Sequence, residues 1–176
     1  GVSGLSALQH AGVDFAITLA KAPVETGRDG GLACRWFAFH CGHSGVNIHE
    51  GRGHAVALAG RILARLREEC PQLRLHEFAG GNKKNAIPRE VAFVVSGAPE
   101  SILSEIAAAT VEPFRDCEPR VRLQLQTAGH PRQSLPAGAV EFLTAAPNGV
   151  ISREPGYDDL VRTSNSIGVA QDRESE

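Results

Sequence analysis

Methionine is missing altogether from this sequence, even at position 1. A chain of this kind is expected to be an excised segment of a longer protein, or a processed form. An excess of charge of one sign is missing too. Eighteen Lys and Arg face twenty Asp and Glu, for a net charge of -2. No strongly basic face is expected, so nucleic acid is a poor partner. Apolar runs fall well short of the ~18 residues a membrane helix needs, and no secretory signal pattern occurs. A cytoplasmic protein without membrane contact is expected. The four cysteines, Cys34, Cys41, Cys70 and Cys117, show no Cys-x-x-Cys spacing, so they are expected to be buried free thiols rather than zinc ligands.

Catalytic signatures are absent as well. There is no His-x-Asp, His-Glu-x-x-His or Gly-x-Ser-x-Gly, and no phosphate-binding loop. His40, His43, His49 and His54 cluster, but only Glu50 and Cys41 accompany them, so no metal site is expected within this chain. Glu68-Glu69 and Asp158-Asp159 read as solvated surface. His43 and Ser44 are adjacent, and neighbours rarely make a nucleophile and its base.

What the chain does contain is a packable composition, 42% hydrophobic and 22% charged, and a glycine-rich stretch at 41–54 holding four glycines and three histidines. A strand is expected on one side of it, at 32–40, and a helix on the other, at 55–69. In that helix Ala59, Ile62, Leu63 and Leu66 form one apolar stripe, and Pro71 ends it. Alternation at 13–20 predicts a leading strand that forms a hairpin with 32–40. Strands are expected at 73–78, 89–96, 120–127 and 160–169. A second helix opens at Pro99 and ends or kinks at Pro113. A third covers about 135–145, capped by Ser134, and 147–150 is a turn. Within 32–127 the order is strand, helix, strand, strand, helix, strand. This is the split βαβ pattern of an α+β, ferredoxin-like fold: an antiparallel sheet with two helices on one face. The other strands and the third helix extend it.

Two polar loops leave strand ends in that fold. His43 lies between Gly42 and Gly45 in one, and Asn85 and Arg89 flank Ala86-Ile87-Pro88 in the other. An imidazole and a carboxamide can donate to a developing oxyanion, and a guanidinium can clamp a carboxylate. The plainer role for His43 and Asn85 is to satisfy loop backbone groups. Residue types and spacing leave both open.

Three motifs go further. Gly42-His43-Ser44-Gly45-x-x-Ile48-His49-x-Gly51-Arg52-Gly53-x-Ala55, Asn85-Ala86-Ile87-Pro88-Arg89-Glu90 and Ala146-Pro147-Asn148-Gly149-Val150 occur in this order. Together they resemble the aminoacyl-histidine (Xaa-His) dipeptidases, also called peptidase D or cytosol non-specific dipeptidases. That family belongs to the di-zinc metallopeptidase clan that includes carnosinase. The resemblance implies that residues 13–170 are a lid, or dimerisation, domain of ferredoxin-like fold, with 1–12 a disordered or appended lead and 171–176 a cut end. It implies two zinc ions and a catalytic domain outside this chain, a homodimer, a dipeptide substrate, and no activity of the chain alone. His43 then matches the lid histidine that stabilises the oxyanion in a partner's active site. Asn85 matches a substrate-contacting asparagine, Arg89 a candidate carboxylate ligand, and Asn148 and Gly149 a loop facing the cleft. The sequence departs from the family at His54, usually asparagine, and at Cys41, usually glycine. Two alternatives stand beside this expectation: a stand-alone binding or dimerisation module, and the lid of a related amidohydrolase or deacylase.

Overall fold

The structure, a computed structural model, describes residues 22–23, 30–37, 39, 44 and 47–172. At its centre are five strands: β2 (Gly31–Phe37), β3 (Arg74–Gly80), β4 (Val91–Ser96), β5 (Arg122–Ala128) and β9 (Ala170–Gln171). They form one antiparallel sheet in the order β5-β2-β4-β3-β9. Helix α1 (Ala55–Glu69) joins β2 to β3, and α2 (Glu100–Val111) joins β4 to β5. This is the ferredoxin-like arrangement expected from the element order, with β9 added at one edge.

Strand β4 shows why one face is covered. Val91, Phe93 and Val95 are buried, while Ala92 and Val94 between them are only half-buried. On α1, Ala59, Ile62, Leu63 and Leu66 are fully buried, as the stripe predicts. Each of the larger three contributes about 2 kcal/mol by leaving water. Helix α2 adds Leu103, Ile106, Ala107 and Val111 to the same core. Its Pro99 sits one residue earlier than expected, as the extended residue before the first turn. Pro113 falls in a 3₁₀ turn, Glu112–Phe114, that follows the helix.

The structure corrects five further expectations. Both edges of β2 are occupied, by β4 and by β5, so it cannot take a hairpin partner. Residues 13–20 lie outside the described residues, but β1 (Ala22–Pro23) pairs with β6 (Gln133–Ser134) instead. Ser134 therefore caps nothing: it is buried in that pairing, and the third helix, α3 (Gly138–Ala145), starts later. Pro136 disfavours helical geometry at Leu135, whose N–H instead donates to Leu75 O at 2.8 Å. The turn expected at 147–150 runs into a strand, β7 (Gly149–Arg153), which pairs with β8 (Val161–Asn165) as a separate two-stranded sheet. The long strand expected at 160–169 is cut short: β8 ends at Asn165, and β9 starts only at Ala170, beyond the expected range. Finally, Cys34 and Cys70 are buried but Cys117 is exposed, while Cys41 lies outside the described residues. Burial pushes the Cys34 thiol up to about 12, so it stays protonated and unreactive.

Candidate functional site

Three hydrogen bonds between main-chain groups join the glycine-rich stretch and the residues on either side of it to the second polar loop. Phe39 N–H donates to Arg89 O at 3.2 Å, Ser44 N–H to Asn85 O at 3.0 Å, and Ala55 N–H to Pro88 O at 3.0 Å. The two loops that the sequence singles out are therefore one structural unit at one end of the sheet. His43 itself lies outside the described residues; its neighbour Ser44 is the residue tied to Asn85.

The second loop has a simple division of labour. Ile87 and Pro88 are buried and root it in the protein, while Asn85 and Arg89 are exposed on either side of them. Arg89 lines a small cavity of about 150 Å³ together with Gly81, Asn82, Lys83, Ala86, Ile87, Pro88, Glu90 and Gly168. An exposed carboxamide and guanidinium beside a small cavity can bind an oxygen-rich ligand.

The third motif sits close by. Strand β7, which begins at Gly149, packs against the 3₁₀ turn Ile48–Glu50 of the glycine-rich stretch. Gly149 has φ of 101°, which suits glycine. The Asn148 carboxamide is already engaged: its Oδ1 accepts from Ile167 N–H at 3.2 Å. Asn165 Nδ2 donates to Pro147 O from the other side. The described geometry of Asn148 is thus that of a loop clamp.

The far end of the glycine-rich stretch is fixed by His54, which caps α1. Its Nδ1 accepts from Ala57 N–H at 3.2 Å, so the proton of the neutral ring is on Nε2, 3.4 Å from Ser166 Oγ. Burial pushes the ring down to about 4, and so it stays neutral. His54 is thus a polar cap, and a strut rather than an acid or base. Sequence reasoning missed Glu118 altogether. This carboxylate, 2% exposed, accepts from Gly53 N–H at 3.0 Å. On the surface of the same stretch, hydrogen bonds from Asn47 and then Arg52 hold the Glu50 carboxyl below its usual range. His49 is exposed. Among the described residues no group of three or more His, Cys, Asp or Glu could hold a metal ion, and no helix is long and apolar enough to cross a membrane.

Comparison with known proteins bears on this unit directly. Residues 37–112 match the family described as "Peptidase dimerisation domain". Over those residues the chain is similar to a peptidase dimerisation domain. Over 140 residues, 73% of its length, it is 33% identical to the cytosol non-specific dipeptidase of Escherichia coli (strain K12). It spans 28% of that protein. Among solved structures, aminoacylhistidine dipeptidase from Vibrio alginolyticus superposes with a TM-score of 0.78 at 27% identity, over 90% of this chain and 34% of that one. The resemblance drawn from the three motifs is thus matched, and the described residues of all three lie at one end of the sheet.

Proposed function

We propose that this domain, residues 13–170, is the lid of a cytoplasmic dipeptidase that works as a homodimer on Xaa-His and other dipeptides. The observation that carries the reading is the 33% identity over 140 residues to a dipeptidase. The stitching of the two polar loops into one exposed unit supports it. His43 donates a hydrogen bond to the oxyanion that forms as the peptide carbonyl is attacked. Asn85 contacts the substrate, and Arg89 takes its carboxylate in bidentate fashion. Asn148 and Gly149 shape the wall of the same cleft. The two zinc ions implied by the resemblance belong to a catalytic domain outside this chain. What this domain supplies is orientation, charge complementarity and one donor.

The test uses the full-length enzyme. Removing one oxyanion donor costs about 10²–10³ in rate, or roughly 3–4 kcal/mol. His43→Ala is expected to lower turnover by that order while zinc content and melting temperature stay at the wild-type values. Turnover within a few-fold of wild type would remove His43 from the chemistry. Dipeptide cleavage by this chain alone, with zinc supplied, would overturn the division of labour between the two domains.

A further inference from the structure

Glu118 stands on the connection between α2 and β5, 65 positions along the chain from Gly53. Burying a carboxylate is costly unless it is hydrogen-bonded, so a side chain placed this way is worth accounting for. Its Oε1 is aimed at the main chain of the glycine-rich stretch, accepting from Gly53 N–H at 3.0 Å. Phe39, 3% exposed, reaches the same point. A Cβ on Gly53 would stand 2.5 Å from Phe39 Cδ1 and 3.3 Å from Glu118 Cγ. Phe39, Gly53 and Glu118 therefore meet, and the two ends of segment 39–53 are brought together at that meeting. Fixing the two ends of a loop together restricts what lies between them. This neck is also bonded to the second polar loop, through Phe39 N–H to Arg89 O and, two residues beyond Gly53, Ala55 N–H to Pro88 O.

We infer that Glu118 is a positioning residue: its buried carboxylate closes the neck of the glycine-rich loop and so sets where the lid presents its side chains to a substrate. Glu118 is buried while Asn85 and Arg89 are exposed; it acts through Gly53, not on the substrate. The inference rests on the proposed role of His43. Misplacing a group by about 1 Å can cost up to about 10²-fold in rate, which makes a neck of this kind consequential.

A double-mutant cycle in the full-length, zinc-loaded enzyme tests it. Glu118→Ala is expected to lower kcat about tenfold to a hundredfold, with KM moving much less and zinc content unchanged. Glu118→Gln keeps the length and one acceptor oxygen, and is expected to restore most of that loss. In a His43→Ala background, Glu118→Ala is expected to add little, because both changes remove the same contribution. If Glu118→Ala does not fold, Glu118→Asp, which withdraws the carboxylate by one methylene, takes its place in the cycle. If His43→Ala is costly but the Glu118 change leaves kcat intact, or multiplies the loss in both backgrounds equally, the positioning role is wrong and the oxyanion reading stands. If His43→Ala itself costs nothing, the oxyanion reading fails and the Glu118 inference falls with it.

Discussion

The two ends of the sheet each rest on a buried histidine, and the two rings are used in opposite ways. At the end that carries the motifs, His54 accepts from a main-chain N–H through Nδ1, so its proton sits on Nε2. At the other end His76 faces Gln133 O through Nδ1 at 2.6 Å and Ser96 Oγ through Nε2 at 2.8 Å. A carbonyl only accepts, so the proton of His76 sits on Nδ1, and in the neutral ring Nε2 accepts from Ser96. His76 is the extra residue of a bulge: Leu75 pairs with Val95 and Glu77 with Val94, which turns both Leu75 and His76 inward. There the ring joins β3, β4 and β6 with its own two nitrogens. At the motif end the joining is done by main-chain groups and by Glu118, which leaves Asn85 and Arg89 exposed. One end is closed on itself and the other is built to present side chains.

The sharpest way to break that contrast is His76→Ala. It removes both hydrogen bonds, leaves the Gln133 carbonyl and the Ser96 hydroxyl without the ring, and opens a cavity, for a cost of about 4 kcal/mol. In a domain of this size the melting temperature is expected to drop by about 10 °C. Turnover of the full-length enzyme, measured well below that temperature, is expected to stay at the wild-type level. A large loss of kcat in a folded variant would show that the far end shapes the site after all.

His54 gives the converse test, through pH. Its pKa is depressed to about 4 in the folded protein from 6.5, so between these values the unfolded chain binds the extra proton. The stability held in a neutral His54 is present in full above about pH 6.5. It is lost as pH falls toward about 4, by a total of about 3 kcal/mol. Melting temperatures across that window are expected to fall more steeply for the wild type than for His54→Asn, which keeps a capping oxygen but does not titrate. Parallel curves for the two proteins would mean that His54 is not what the helix start depends on.

Local periodicity made the core of the fold legible. The α1 stripe and the alternation in the strands each report a repeating burial, so helix, strand and split order could be read directly. The candidate loops were legible because glycine and polar residues break those periods. Contacts across long separations left no such mark. Glu118 reaches 65 positions, Ser166 reaches His54 over 112, and Gln133 reaches His76 over 57. Ser134 looked like a helix cap because serine before a helical pattern usually is one, yet the strand pairing with Ala22 claimed it. Tertiary pairing also took both edges of β2 and ruled out the simplest local partner.

The smallest effects come from two glycines two residues apart, and they separate the loop from its neck. Gly51 ends the 3₁₀ turn with φ of 68°, and a Cβ there would meet nothing within 4 Å. Its replacement by alanine has only the backbone penalty to bear, about 1 kcal/mol. Gly53 has no such φ, but its Cβ would stand 2.5 Å from the ring of buried Phe39. Gly53→Ala must push that ring aside, at about 2 kcal/mol, and it strains the point where Glu118 accepts from the main chain. Both variants are expected to fold. If the neck positions the loop, Gly53→Ala lowers kcat as well as stability, while Gly51→Ala lowers stability alone. Equal effects on kcat would mean that the loop is sensitive along its whole length and that its neck has no special standing.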